Sequence, residues 1–247
     1  MKTFQTMLKT ELKLSLRGMD MLIFALIMPV IVVVLLGIIF GDQPAYDGAP
    51  YSFLAQSFGA VSSIAICAGG VMGLPLVVSD YRHKKILKRL KVTPVAPVMI
   101  LTVQVTIYAL YALFSLALVY LTASLFFGFR LEGSWLQFLG GFLLVMAAMF
   151  SIGMMVGGLA PNQKMAGIIA SLLYFPMLIF SGATLPYEVM PKALQNVADV
   201  LPLTQGIKLL KSATLGLPAT DALLPVALMA ALAVVCTVVS IRFFRWE

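Results

Sequence analysis

An all-α, polytopic membrane protein is the fold class the sequence predicts, and three observations predict it. Hydrophobic residues make up 61% of the 247, charged residues only 11%, and mean hydropathy is +1.02. Ordinary soluble domains carry roughly 25% charged residues. The apolar residues gather into six runs of about 20 residues or more, each able to cross a hydrocarbon core of about 30 Å at about 1.5 Å per residue. The cations gather between those runs rather than within them.

Residues 1–20 read as an amphipathic helix lying in the membrane interface. Phe4, Met7, Leu8, Leu12 and Leu16 recur at helical spacing, while Lys2, Lys9, Lys13 and Arg17 supply cations. A cleaved signal peptide is the competing reading. The long polar lead and the absence of a small-x-small cleavage pattern favour a retained first span.

Residues 21–247 form the spanning domain. The first span is Met21–Phe40, kinked at Pro29. The loop Gly41–Pro50 holds Asp42 and Asp47 and no cation. Span two, Ser52–Ser79, is rich in small residues such as Gly59, Ser62, Gly69, Gly70 and Gly73, which let helices approach closely within the chain, at a subunit interface or along a pathway wall.

Asp80–Pro94 is the longest strongly polar run. Six Lys/Arg (Arg82, Lys84, Lys85, Lys88, Arg89 and Lys91) stand against Asp80 alone. Ile86, Leu87 and Leu90 share one face of a helix, and Thr93 before Pro94 should end it. The run reads as a short basic amphipathic helix; the alternative is a solvated loop that only fixes topology.

Span three covers Pro97–Phe127, span four Trp135–Leu159 with Trp135 as an interfacial anchor, and span five Met165–Leu185 with Pro176 inside it. In 186–218 prolines and polar residues mix with short apolar periodicity, which predicts two short helices dipping into the outer leaflet. The last span is Ala222–Ile241.

Six spans place both ends of the chain on one side, and the cations say which. Four Lys/Arg in the first segment, six in the basic run, Lys164, and Arg242 with Arg245 total thirteen; Arg130, Lys192, Lys208 and Lys211 oppose them. Thirteen against four puts both ends and Asp80–Pro94 in the cytoplasm. The same pattern accounts for the net charge of +7, so nucleic acid is not expected as a partner.

Little chemistry is legible. The sequence has no phosphate-binding G-x-x-x-x-G-K-[ST] loop and no H-E-x-x-H metal motif. His83 is the sole histidine, and Cys67 and Cys236 fall inside apolar spans, so no metal site is assigned. The spans hold almost no ionisable groups, which speaks against an ion-coupled transporter. Gln104 and Gln137 are the most polar candidates inside them and suit hydrogen bonds to neighbouring helices. A transporter without its own energy source borrows it from a soluble partner.

Two regions carry a resemblance. Tyr81 to Pro94, ending Leu90-Lys91-Val92-Thr93-Pro94, is similar to the basic segment after span two of the type-2 permeases of ATP-binding cassette (ABC) exporters. Phe180-Ser181-Gly182-Ala183-Thr184-Leu185-Pro186, followed by Leu201-Pro202-Leu203-Thr204, resembles that family's element between spans five and six. The chain departs from the family where His83, Lys84, Lys85 and Ile86 replace its usual acids and glycine.

The resemblance implies a transport subunit rather than an enzyme, in a prokaryotic plasma (inner) membrane. It implies pairing with a second copy or a paralogous permease, and two cytoplasmic ATPase subunits that carry the ATP and Mg; this chain holds no cofactor. Tyr81, Arg82, His83, Lys85, Ile86, Leu87, Arg89 and Leu90 would form a coupling helix against the ATPase. Ser181, Gly182, Pro186 and Pro202 would form an extracellular gate. Phe58, Ser62, Met72, Tyr174, Met177 and Phe180 are candidates for the substrate pathway, or else packed core side chains. If they face a pathway, they suit an amphiphilic drug, peptide or lipid. Polysaccharide or lipid-linked glycan export is the alternative within the family, and an ion channel or a non-energised scaffold the alternative outside it.

Overall fold

The structure, a computed structural model, describes residues 2–18, 23–41, 43–46, 48–86, 97–182, 187 and 190–244. Nine helices follow one another among them: α1 (Lys2–Arg17), α2 (Ile23–Phe40), α3 (Phe53–His83), α4 (Pro97–Phe127), α5 (Trp135–Leu159), α6 (Gln163–Phe180), α7 (Lys192–Val200), α8 (Pro202–Leu215) and α9 (Ala219–Phe243). An isolated bridge between Pro44 and Ser52 is the extended pairing seen among the described residues. Six helices are long and apolar enough to cross a membrane: α2, α3, most of α4, α5, α6 and most of α9.

The chain is therefore an all-α, multi-pass membrane protein, and the expected spans fall within a few residues of the observed ones. Span five stops at Phe180 rather than Leu185, and span two shifts the other way. It does not stop at Ser79 but runs unbroken to His83, because no residue between them interrupts the backbone ladder. Thirty-one residues make about 46 Å of helix, half as long again as a hydrocarbon core of about 30 Å. The last turn of α3 thus projects beyond the apolar layer.

α3 is the hub. Of its most apolar stretch 83% is buried, against 17–56% for the other five spans. Glycines make this possible. A Cβ on Gly59 would lie 2.8 Å from Leu210 Cβ of α8, and one on Gly70 would lie 2.8 Å from the Phe150 ring of α5. A Cβ on Gly153 of α5 would collide with the Gly70 carbonyl oxygen. The small face of span two is accordingly spent on packing within the chain.

Two stretches, Ile23–Ile27 in α2 and Ala68–Gly73 in α3, are wound as π-helix, and each is followed within two residues by a proline, Pro29 and Pro75. A proline ring clashes with the carbonyl of residue i−4 and offers that carbonyl no N–H. Widening the preceding turn relieves the clash.

The ends of the helices divide into two groups. At one end Phe40 of α2 stacks on Phe53 of α3 at 4.0 Å, and the Gly133 N–H donates to Thr214 O at 2.9 Å, tying the α4–α5 turn to the end of α8. At the other end α1, the end of α3, the start of α4, the α5–α6 turn and Phe244 meet. The second end is the basic one.

α7 and α8 form where two short helices were expected. Ten of the 14 residues of α8 are buried, so α8 is wedged among α3, α5 and α9 rather than resting at the rim. Gly206 allows this, since a Cβ there would lie 2.9 Å from Val145. The helix closes on Gly216, whose φ of 64° is left-handed and whose N–H donates to Ser212 O.

Outward faces of the spans carry large exposed apolar side chains, among them Ile38, Phe126, Leu172, Leu223 and Ile241. Lipid, or another apolar protein surface, is the medium that such faces require.

Candidate functional site

The basic end gathers its groups around the last turn of α3. Tyr81 leaves the helix toward α1 and α4. Its hydroxyl donates to Glu11 Oε2 at 2.7 Å. Gln104 Nε2 donates to the same carboxylate oxygen at 2.9 Å and to the Tyr81 oxygen at 2.8 Å. One carboxylate thus ties three helices together, with a further bond from Tyr111 OH to Ser15 Oγ at 3.0 Å along the α1–α4 seam. Hydrogen bonds to a charged acceptor contribute more than neutral ones, roughly 1.5–3 kcal/mol each.

Arg82 turns the opposite way. It is 7% exposed, and its Nη1 donates to Gly157 O at 3.0 Å and Ala160 O at 2.7 Å. The reason lies in the α5–α6 turn. The last carbonyls of a helix lack N–H partners, and the residue four positions after Gly157 is Pro161, which has no N–H to give. A guanidinium at the negative end of the α5 dipole replaces that donor. Asn162 then caps α6, its side chain accepting from Met165 N at 2.9 Å.

Beyond Arg82 the helix ends. Lys84 and Lys85 form a turn in which Lys85 takes a φ of 55°, and Ile86 is helical again. Lys84 pairs with Asp80 at 2.8 Å across one exposed turn. Exposed pairs of this kind contribute about 0–1 kcal/mol. His83, Lys84 and Lys85 face outward. Leu87, Arg89 and Leu90, with the rest of 87–96, lie outside the described residues.

This corrects the expectation for the basic run in three ways. Asp80–His83 belongs to the spanning helix, not to a separate one. Arg82, expected in a coupling helix against the ATPase, points into the protein because the open α5 carbonyls are the stronger partner. Ile86, expected on a free apolar face, is half-buried against Val78, Ile100 and Leu101.

The candidate pathway residues are mostly core. Phe58 is fully buried, stacked on Phe129 at 4.4 Å and packed on Phe138 at 5.4 Å, with Tyr120 edge-on. Ser62, Tyr174 and Met177 are also enclosed, so none of these four lines an open path through the single chain. Met72 and Phe180 are half-buried, and Ser171 Oγ lies 4.0 Å from the Met72 sulfur. Lipid is as apolar as these side chains, so dispersion contacts and ring packing in the close helix interfaces, not removal from water, hold them inside.

Of the gate residues, Ser181 and Gly182 line a cavity at the end opposite the basic one. Pro202 opens α8, where its missing N–H costs nothing. Pro186 lies outside the described residues. Around them the chain is cross-braced. Asp199 Oδ1 accepts from Tyr187 OH at 2.9 Å and from Lys208 Nζ at 2.7 Å, and the Lys208 ammonium sits 4.8 Å from the Tyr187 ring centre. Gln195 Nε2 donates to Tyr187 O and Met190 O, and Gln205 Nε2 to Asp199 O. Partial burial works against the charged Asp199 carboxylate, but the bonds from Lys208 and Tyr187 outweigh it and hold the carboxyl below its ordinary range.

Glu11 and the capping role of Arg82 escaped the sequence reading. Both had a signal: Glu11 is the one acid in an otherwise basic helix, and Pro161 leaves a carbonyl open behind it.

Known proteins resemble part of this chain. Nodulation protein J of Rhizobium leguminosarum bv. viciae is 35% identical over 98 residues, 40% of this chain and 38% of that protein. Nodulation protein J of Neorhizobium galegae is 35% identical over 98 residues, 40% and 37% of the two chains. The inner membrane transport permease YhhJ of Escherichia coli (strain K12) is 32% identical over 82 residues, 33% and 22% of the two chains. The matched segment thus spans less than two fifths of the length of each of these relatives. The ABC-2 type transporter family, by contrast, matches from residue 2 to residue 215, from α1 with its Glu11 tie through both short helices α7 and α8. The chain belongs to the ABC-2 type transporter family.

Proposed function

We propose that this chain is the membrane-spanning permease subunit of an ATP-driven exporter. Two such permeases, identical or paralogous, enclose the pathway, and two cytoplasmic ATPase subunits carry the ATP and Mg. The substrate class that the half-buried candidates Met72 and Phe180 still suit is an amphiphile: a drug, a peptide or a lipid. Both ends of the chain and the basic run face the cytoplasm, a reading the thirteen-to-four asymmetry of cations supports.

One observation carries the reading: the last turn of α3 is held on two sides by charge-assisted hydrogen bonds, Tyr81 to Glu11 and Arg82 to Ala160. A segment that passes force from a soluble motor into a membrane helix has to be fixed to that helix and to its neighbours. The basic run from Lys84 onward continues directly from such a fixed turn. A push on it would be felt by α1, α4 and α5 together.

The test is Leu87→Asp, which places a carboxylate on the apolar face of the basic run. Docking into an apolar groove would lose that burial, worth roughly 1.5–3 kcal/mol, and add a desolvation cost. The variant should reach the membrane at normal level, fail to co-purify with its ATPase and fail to export. Full transport with normal partner binding would refute the coupling role. Purified alone, the chain should neither bind nor hydrolyse ATP, since it has no phosphate-cradling loop.

A further inference from the structure

A cavity of about 270 Å³ opens among the start of α3, the end of α6, Tyr187 and α8, at the end opposite the basic one. Three polar atoms on its lining residues are buried without a hydrogen-bond partner: Gln56 Oε1, Ser181 Oγ and Thr204 Oγ1. Their residues are 6%, 1% and 1% exposed. Each of the three atoms is closed off from the cavity as it stands, so an occupant reaches them when the Ser181 and Thr204 hydroxyls and the Gln56 amide turn toward it. Buried polar groups nearly always find a partner, and three orphans on residues lining one cavity point to an occupant. Two ammonium groups, Lys208 and Lys211, also line it. No Asp or Glu does so among the described residues, and Asp199, which pairs with Lys208, stands outside the lining.

We propose that this cavity binds a phosphate ester that also carries a hydroxyl group, with the headgroup of a phosphoglycerol lipid as the natural size. The chemistry follows from the lining. The hydroxyls of Ser181 and Thr204 and the two ammonium groups are donors suited to phosphate oxygens. Gln56 Oε1 is an acceptor, and a bare anion would leave it unmatched; a ligand hydroxyl supplies the donor. The volume lies near the lower end of small-molecule sites, about 300–1,000 Å³, so a headgroup fits and a bulky amphiphile does not. The site lies where α3 begins and α6 ends, the level at which headgroups meet a six-span bundle. The binding stands independently of transport and of any ATPase.

The test uses the full chain, purified, delipidated and held in neutral detergent. Binding of phosphatidylglycerol, phosphatidylcholine and sn-glycerol 3-phosphate is measured by native mass spectrometry and by titration. Phosphatidylglycerol should bind at least about tenfold more tightly than phosphatidylcholine, which has a phosphate but no hydroxyl and no net charge. Competition by sn-glycerol 3-phosphate would show that a soluble ester suffices; a preference for phosphatidylglycerol without such competition would assign the site to the lipid. Ser181→Ala with Thr204→Val, and separately Lys211→Gln, should each weaken binding about tenfold. Lys192→Gln, a cation at the same end but off the lining, should leave it unchanged. Equal binding of the two lipids by the native chain would overturn the proposal with no variant needed. So would unchanged affinity in well-folded Ser181/Thr204 and Lys211 variants, which would make the cavity a store of water only.

Discussion

The guanidinium of Arg82, in the last turn of α3, lies 2.7 Å from the carbonyl oxygen of Ala160 at the end of α5. It completes a helix end that Pro161 cannot complete, and it makes the last turn of the hub helix part of the α5–α6 corner. Removing it leaves buried acceptors without a donor.

Arg82→Ala should therefore destabilise the chain by roughly 1.5–3 kcal/mol, the scale of a buried charge-assisted bond. Thermal unfolding in detergent measures it. Arg82→Lys should restore part of the loss, because an ammonium reaches one carbonyl but lacks the planar fork. Lys84→Ala, which breaks an exposed pair, should shift the melting point little. Equal effects for Arg82→Ala and Lys84→Ala would contradict the capping role.

Tyr81, Glu11 and Gln104 share one carboxylate oxygen, so their contributions should not add. A double-mutant cycle of Tyr81→Phe and Glu11→Gln should give a coupling of about 0.5–3 kcal/mol. Additive losses would show that the two side chains act independently. Transport should fall in both single variants while membrane insertion stays normal.

Gly153 and Gly140 lie on the same helix in opposite settings. A Cβ at Gly153 meets the Gly70 carbonyl, while one at Gly140 meets nothing within 4 Å. Gly153→Ala should separate α5 from α3 at a cost of about 1–3 kcal/mol. Gly140→Ala should be neutral or stabilise by up to about 1 kcal/mol through helix propensity. Melting temperatures of the two variants check the pair, and a harmless Gly153→Ala would place α5 further from α3 than described.

Asp199 fastens α7 to α8 and to Tyr187. Its carboxyl is held below the ordinary range, so its stabilising effect is fully present above the unfolded value of about 4 and is lost as pH falls through the lower folded value. Hydrogen-exchange protection of α7, corrected for intrinsic rates, should hold from neutral pH down to about 4 and drop only below that. In Asp199→Asn it should be reduced already at neutral pH, without that acid transition. Protection that declined steadily from neutral pH would point to a different group.

Orientation has its own measurement. A cysteine placed at exposed Lys84 should resist membrane-impermeant reagent in intact cells, and one placed at exposed Lys192 should react. Labelling of both from the same side would overturn the topology argued from the cations.

The class and the span boundaries were legible in the sequence because they depend on length and hydropathy alone. A stretch of apolar residues in lipid must close its own backbone hydrogen bonds, so a helix is imposed by composition. The two short helices α7 and α8 were legible for a similar reason, since proline and polar residues punctuate the apolar periodicity there. Which face of each helix turns inward is a different question. In the membrane both lipid-facing and core-facing residues are apolar, so hydropathy does not separate Phe58, sealed in an aromatic cluster, from Phe126, exposed on α4. Only the packing of α3 against α5 and α8, through Gly59, Gly70 and Gly153, decided that. The same holds at the basic end. Six cations in one run say where the membrane stops; they do not say that Arg82 turns back to cap α5 while Lys84 stays in solvent. That choice depends on a carbonyl left open by Pro161, some eighty residues away in sequence and brought alongside by the fold.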